Sequence, residues 1–407
     1  MTFFARSLGA VAAVLIATAV SAACPFCGAA TQLTLTQEAA QAALILFGTP
    51  SNPVFDPNAT LQGTTDLQIE TVIKSNPIIE GKKVVTINRY IPVNKDKPQK
   101  FLVFCDVYKD KLDPYMGMPV DPDSKVAEYL KGAMEARDKD ATTRLKFFFK
   151  YLDSSEMTLS EDAYREFAAA DYKDYRPLAE KLDPDLLTKW LKDPNTPASR
   201  FGLYGSMLGH CGKPKHAKAI REMLDDPDKR FSTGIDGMFA GYVMIEPKEA
   251  WAYISDIFKD SKKEFLLRYA ALRAARFLAD YRPDLVTKDR IVDSVAKMLD
   301  QDDIADLVVE DLRKWQCWQL TDKVLALRDA KTHQTPIIQR AILRFALQSA
   351  ETNKAAAQFV AAERKADSDR VKEVEELLQL ELAPKSKPAT VPAAGSASRT
   401  GAASLGK

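Results

Sequence analysis

Cys24-Pro25-Phe26-Cys27-Gly28 is the stretch of this chain whose residue types and spacing come nearest to doing chemistry. In C-P-x-C motifs of the thioredoxin kind, a helix N-terminus lowers the pKa of the first thiol, so a reactive thiolate exists near neutral pH. That chemistry needs a strand before the motif, and here an apolar leader precedes it. A zinc site would need two further ligands, yet the only histidines, His210, His216 and His333, lie far along the chain. A structural tether, with Cys24 or Cys27 bridged to the other or to Cys105, demands least of the fold.

Two other groupings invite the same test. Gly209-His210-Cys211-Gly212 and His216 place a thiol and two imidazoles close together, but no further carboxylate or histidine is fixed beside them in sequence. The plainer reading ends a helix at Gly212, buries Cys211 and leaves His216 on a wet helix face. The acidic run from Asp106 through Asp110 to Asp113 fails as a calcium loop, because the positions that need Gly and Glu hold Lys111 and Gly117. These aspartates read as turn and cap residues at a strand end. No nucleophile–base–acid set assembles, and neither a cofactor nor a metal is expected.

The 57 basic and 56 acidic residues nearly cancel, which removes any global argument for nucleic acid or an anionic membrane surface. Partners must be sought locally. Lys262, Lys263, Arg268, Arg273 and Arg276 form a basic run that is by default a solvated flank; converging in a groove, the arginines would suit an acidic polymer or protein. Trp315-Gln316-Cys317-Trp318 reads as packing at an inter-repeat turn, although exposed tryptophans there would mark a binding face.

Residues 1–23 have the form of an export signal, with Arg6, the apolar run Leu8 to Val20 and the small residues Ser21-Ala22-Ala23. The mature chain then starts near Cys24, and a secreted or periplasmic destination follows. A lipidated Cys24 is the alternative, against which stands Ser21 where a lipoprotein signal usually has a large aliphatic residue. No later run is long enough to span a bilayer.

The elements that must hold these residues divide in two. After a short helix near Gln37 to Ala43, four runs rich in Val, Ile, Leu and Phe read as strands: Leu44–Thr49, Leu67–Ile73, Val84–Val93 and Phe101–Val107. Four or five such strands close most economically into a small barrel over residues 24–122. Residues 123–140 read as a linker helix with a charged end. From 141 to 382 the pattern is helical throughout. Ala217, Ile220 and Leu224 are restated 34 residues later as Trp251, Ile254 and Phe258, and both sets follow a proline suited to a helix start. Val292, Val295 and Leu299 restate the face after a further 41 residues, a drift typical of HEAT-like repeats. Beyond Leu382 the composition of Ala, Pro, Ser, Lys and Gly predicts a disordered tail, 383–407.

The N-terminal cysteine pair, the helix leading into Ala43-Leu44-Ile45-Leu46-Phe47-Gly48 and the late Phe104-Cys105 resemble the netrin-like and metalloproteinase-inhibitor domains, which are OB-type barrels. The resemblance covers residues 24 to about 120, in a chain with fewer cysteines than those families carry. It implies a barrel tied to its N-terminus through Cys105; protease inhibition is not implied. The whole chain is similar to exported bacterial proteins that begin with C-P-F-C and end in HEAT-like helices, a likeness of architecture. One disulfide is expected among Cys24, Cys27 and Cys105, with Cys24–Cys105 favoured because it would anchor the N-terminus. Cys211 and Cys317, about three helix pairs apart, are expected to stay unpaired.

The expectation is therefore an α+β multidomain chain, an OB-type barrel followed by a HEAT-like α-solenoid. Its function reads as an exported, non-enzymatic scaffold or protein-binding module, with a protein partner in the cell envelope or outside the cell. A thiol-disulfide oxidoreductase using Cys24 and Cys27, or an envelope tether lipidated at Cys24, are the alternatives.

Overall fold

Leu44-Ile45-Leu46-Phe47 is apolar at every position, as a strand buried on both faces requires, and it starts the middle strand of the sheet. The protein, a computed structural model, is described for residues 24–27, 32–94, 96, 99–226 and 233–382. The regions read as an export signal (1–23) and a disordered tail (383–407) lie outside the described residues.

The fold is α+β. Helix α1 (Leu35–Gln41) opens on a capping box, Thr34 accepting from the Gln37 N–H while the Gln37 side chain accepts from Thr34. Five antiparallel strands follow: β1 (Leu44–Phe55), β2 (Gly63–Lys74), β3 (Val84–Ile87), β4 (Lys100–Tyr108) and β5 (Lys111–Val120), in the order β3-β2-β1-β4-β5. Side chains alternate across it. Ile45, Phe47, Leu102 and Phe104 join the core shared with the helices, whereas Leu44, Leu46, Val103 and Cys105 belong to a second cluster with Leu67, Ile79, Val85 and Ile87.

The sheet does not close into the expected barrel. Among the described residues no ladder joins β3 to β5, and the two edges instead face one another across a cavity of about 440 Å³ lined by Val84, Val85 and Thr86 on one side and Asp110, Lys111 and Leu112 on the other. The edges are poor partners: β3 has only four residues, and Pro114 and Pro119 remove two donors from β5. The fifth strand itself was hidden by those prolines. Asp106 and Asp113, expected as turn and cap residues, sit opposite one another in the β4–β5 ladder; the turn falls on Lys109 and Asp110, whose φ values of 49° and 55° make a tight hairpin.

The helices after the sheet are α2 (Val126–Arg137), α3 (Ala141–Phe149), α4 (Met157–Ala168), α5 (Tyr172–Ala179), α6 (Pro184–Lys192), α7 (Phe201–Cys211), α8 (Pro214–Asp225), α9 (Ile235–Ile245) and α10 (Pro247–Lys259). Then come α11 (Phe265–Tyr281), α12 (Lys288–Val295), α13 (Ala305–Lys314), α14 (Thr321–Ala326), α15 (Pro336–Ser349), α16 (Lys354–Ala366) and α17 (Ser368–Leu382). The repeated faces of α8 and α10 are all buried, and both helices start on their proline. Helices two apart touch: α7 with α9, α9 with α11, α6 with α8, α10 with α12, α13 with α15, α14 with α16. Arg268 to Asp303, Arg276 to Asp311, Arg313 to Gln348 and Arg328 to Glu363 are polar contacts that all run 35 residues forward.

The tightest contact lies between α7 and α9. Gly202, Gly205 and Gly209 face Gly237 and Gly241, with Met238 and Met244 of α9 filling the space beside Gly205 and Gly209; a Cβ on Gly241 would stand 2.1 Å from the Gly205 carbonyl oxygen. Both helices are buried almost all round, which suits the centre of the packed helices.

Candidate functional sites: the buried disulfide and the hairpin tip

Cys24 is bonded to Cys27, with Cα atoms 5.4 Å apart, and Cys105, Cys211 and Cys317 are free. The favoured Cys24–Cys105 bridge is thereby corrected. Its physical obstacle is the alternation of β4: Cys105 points into the cluster on the far side of the sheet, while Cys24 belongs to the core built with the helices. Burial, then the charges of Asp106 and Asp113, push the Cys105 thiol up to about 12.

The C-P-F-C loop is clamped by three helices. The Cys24 N–H donates to the Ala168 carbonyl at the end of α4 (3.1 Å), and the Cys27 N–H closes the turn on the Cys24 carbonyl (3.3 Å). Phe26 is buried with its ring 4.6 Å from that of Phe277 on α11. Its carbonyl approaches α7 where Gly202 offers no side chain; a Cβ there would lie 2.6 Å away. Arg273 donates to the Pro25 carbonyl (3.3 Å) and pairs with buried Asp236 at 2.8 Å. Burial pushes Asp236 above the ordinary carboxylate range and Arg273 pulls it back.

This geometry inverts what a C-x-x-C redox site needs. Cys24, the first cysteine, is 4% exposed, and Cys27 is the half-buried one. The motif sits in a turn. What the disulfide does best here is hold Pro25 and Phe26 in the conformation that docks on α4, α7 and α11.

The histidine–cysteine grouping does not converge. His210 lies against the ring of Tyr172 (5.6 Å), and burial, then the charges of Arg282 and Arg176, push it down to about 4. His216 is buried rather than on the wet face, because its ring is satisfied at both ends: Nδ1 accepts from the Lys213 N–H (2.8 Å) and Nε2 lies 3.0 Å from Asp185. His333 sits between the Thr332 hydroxyl and the Leu299 carbonyl, each at 2.8 Å. Among the described residues no group of three or more His, Cys, Asp or Glu is placed to hold a metal.

The arginines of the basic run are drawn into the fold, while Lys262 and Lys263 stay exposed. Arg268 is buried, 2.5 Å from Asp303 and 2.7 Å from Gln301, so it offers no binding surface. Arg273 holds the N-terminal loop, and Arg276 reaches Asp311 at 2.7 Å. Trp315 and Trp318 pack against the helical core half-buried, Trp318 edge-on to Phe345 at 5.1 Å.

Two features escaped sequence reasoning. Asp162 lies inside α4, accepting from the Leu35 N–H (2.7 Å) and the Tyr129 hydroxyl (2.7 Å); one turn on, Glu166 accepts from the Thr36 hydroxyl. Together they bolt α1 and α2 to α4. The signal was the spacing Leu159, Asp162, Ala163, Glu166, Phe167, two carboxylates on an apolar face. The second is the β1–β2 hairpin, which continues to Phe55 past the expected end at Thr49. Its tip exposes Val54 (58%), Phe55 (57%) and Leu61 (45%). Phe55 meets Tyr90 edge-on at 5.3 Å, and the Tyr90 N–H donates to the Leu61 carbonyl (3.0 Å), so the apolar tip is held in shape.

Among the described residues no helix is long and apolar enough to cross a membrane. The chain matches no protein-family model, no curated protein and no solved structure.

Proposed function

We propose that the protein is an exported, non-enzymatic scaffold that binds a protein partner, its helices acting as a HEAT-like stack and its sheet as an opened OB-type barrel. Contacts between helices two apart and polar pairs that recur at a 35-residue register support the stack. The observation that carries the binding role is the hairpin tip, where Val54, Phe55 and Leu61 stand together in solvent on a braced turn. Apolar side chains grouped and rigid in this way suit a partner's apolar groove, because little entropy is lost on docking. The test is a photo-crosslinking amino acid at Phe55 in cells producing the full chain, with a second at exposed Lys259 as reference. A discrete adduct from position 55 alone supports the reading, and equal or absent adducts reject it.

The second reading, a thiol-disulfide oxidoreductase, draws on the Cys24–Cys27 pair itself. Burial of Cys24 weighs against it, since exchange requires in-line approach of a thiolate to a sulfur. Insulin reduction by the mature protein, abolished by Cys27→Ser, would promote it. An acyl chain on Cys24, seen by mass spectrometry of the N-terminal peptide, would instead make the protein an envelope tether.

A further inference from the structure

Between Lys354 and Leu382 the sequence contains neither Pro nor Gly, yet the helix breaks at a single residue, Asp367. Its backbone (φ −152°, ψ 86°) and carboxylate make the break. The Asp367 N–H closes α16 on the Glu363 carbonyl (2.8 Å), and its Oδ1 accepts from the Arg370 N–H (3.0 Å), capping α17.

Beyond this hinge α17 is attached through separable contacts. Val371, Val374 and Leu378 form with Leu343 a cluster apart from the main core. Four of its ion pairs to α13, α15 and α16 set a glutamate of α17 on a neighbour's arginine, Arg313 and Arg344 to Glu381, Arg340 to Glu373 and Arg364 to Glu375, while Arg370 to Glu363 of α16 runs the other way. Arg313 is 2% exposed, so Glu381 neutralises a buried cation together with Glu310. Every one of these contacts is available in the same form from another copy of α17. A one-residue connection favours that source, since a short hinge resists folding back and a straight one cannot.

We propose that the face formed by α13 and α15 is an exchange site between two copies of this chain. Asp367 turns helical, α16 and α17 join into one helix of roughly 43 Å, and Glu381 of each copy seats on Arg313 and Arg344 of the other. Only the hinge changes conformation, so the balance between single chain and exchanged dimer rests on the cap at Asp367 and on concentration.

The experiment uses the full chain carrying Arg344→Cys and Glu381→Cys, with Asp367 intact, replaced (Asp367→Ala) or followed by an inserted Gly-Ser-Gly-Ser. Sedimentation equilibrium gives the association constant, and non-reducing electrophoresis shows whether the new disulfide lies within or between chains. Removing the cap is expected to raise association about tenfold with a disulfide-linked dimer, and the insertion to return an intrachain bond. A monomeric Asp367→Ala protein, or a dimer whose disulfide stays within each chain, overturns the proposal. Should Asp367→Ala not fold by circular dichroism, the Asp367-intact protein refolded at high concentration decides: linked dimers that the insertion abolishes support exchange, and intrachain bonds alone reject it.

Discussion

A Cβ on Gly237 would stand 2.0 Å from the carbonyl oxygen of Gly202, so α9 and α7 meet backbone to backbone. Gly237→Ala must therefore push two central helices apart, while gaining only about 1 kcal/mol of helix propensity. A net loss of about 2–3 kcal/mol is expected in denaturant unfolding. Gly117→Ala in β5 is the comparison, since its Cβ would meet nothing nearer than Phe101 at 3.8 Å. That variant should stay within about 0.5 kcal/mol of the parent. Equal losses would contradict the close approach.

Phe26, rather than the disulfide beside it, should be the stronger anchor of the N-terminal loop. A bridge that closes so short a loop restricts the unfolded chain by about 2 kcal/mol at most. Emptying the buried site against Phe277 costs about 3–5 kcal/mol. Cys24→Ser with Cys27→Ser should thus lower the melting temperature less than Phe26→Ala does. Peptide mapping of the unreduced protein should return Cys24 linked to Cys27 and Cys105 as a free thiol.

The contrast between these two sites shows what the sequence could carry. Helix limits were legible where Pro214 and Pro247 start a repeated apolar face, because burial of one stripe is a local property of spacing. The partner of Cys24 was not. It depended on which face of β4 carries Cys105, and one residue of register reverses that. The hairpin tip was missed for a similar reason: Val54 and Phe55 follow Pro53 in a turn-rich stretch, and their strand exists only through pairing with Gly63 and Thr64. The buried disulfide pocket draws on α4, α7 and α11, more than a hundred residues downstream of Cys24, a distance over which periodicity is silent.

Arg268 looked in sequence like part of a surface charge run and is instead a buried tie between α11 and the turn that leads into α13. Arg268→Ala leaves Gln301 without that donor and opens a void where the guanidinium lay. A loss of about 2–3 kcal/mol is expected. Arg290→Ala, on an exposed face of α12, should change stability by less than about 0.5 kcal/mol. Parallel unfolding curves separate the two, and an equally mild Arg268→Ala would mean the pair is dispensable.

The bolt between α1 and α4 should make stability depend on pH through Glu166. Burial, opposed by the Thr34 hydroxyl and aided by the nearby Asp162 charge, pushes its carboxyl up to about 7 from an ordinary 4.5. Between those values the folded chain holds a proton that the unfolded chain has released, so this group's contribution is complete below pH 4.5 and is lost as pH rises through 7. The full loss is about 3 kcal/mol. Glu166→Gln keeps an oxygen that accepts from Thr36 and never acquires the charge. Parent and variant should therefore unfold alike near pH 4.5, and the variant should become progressively more stable than the parent toward pH 8. Thermal unfolding at half-unit pH steps reads this as a widening gap in melting temperature. A gap that is constant across the range, or that widens toward acid, would show that Glu166 is charged in the folded protein.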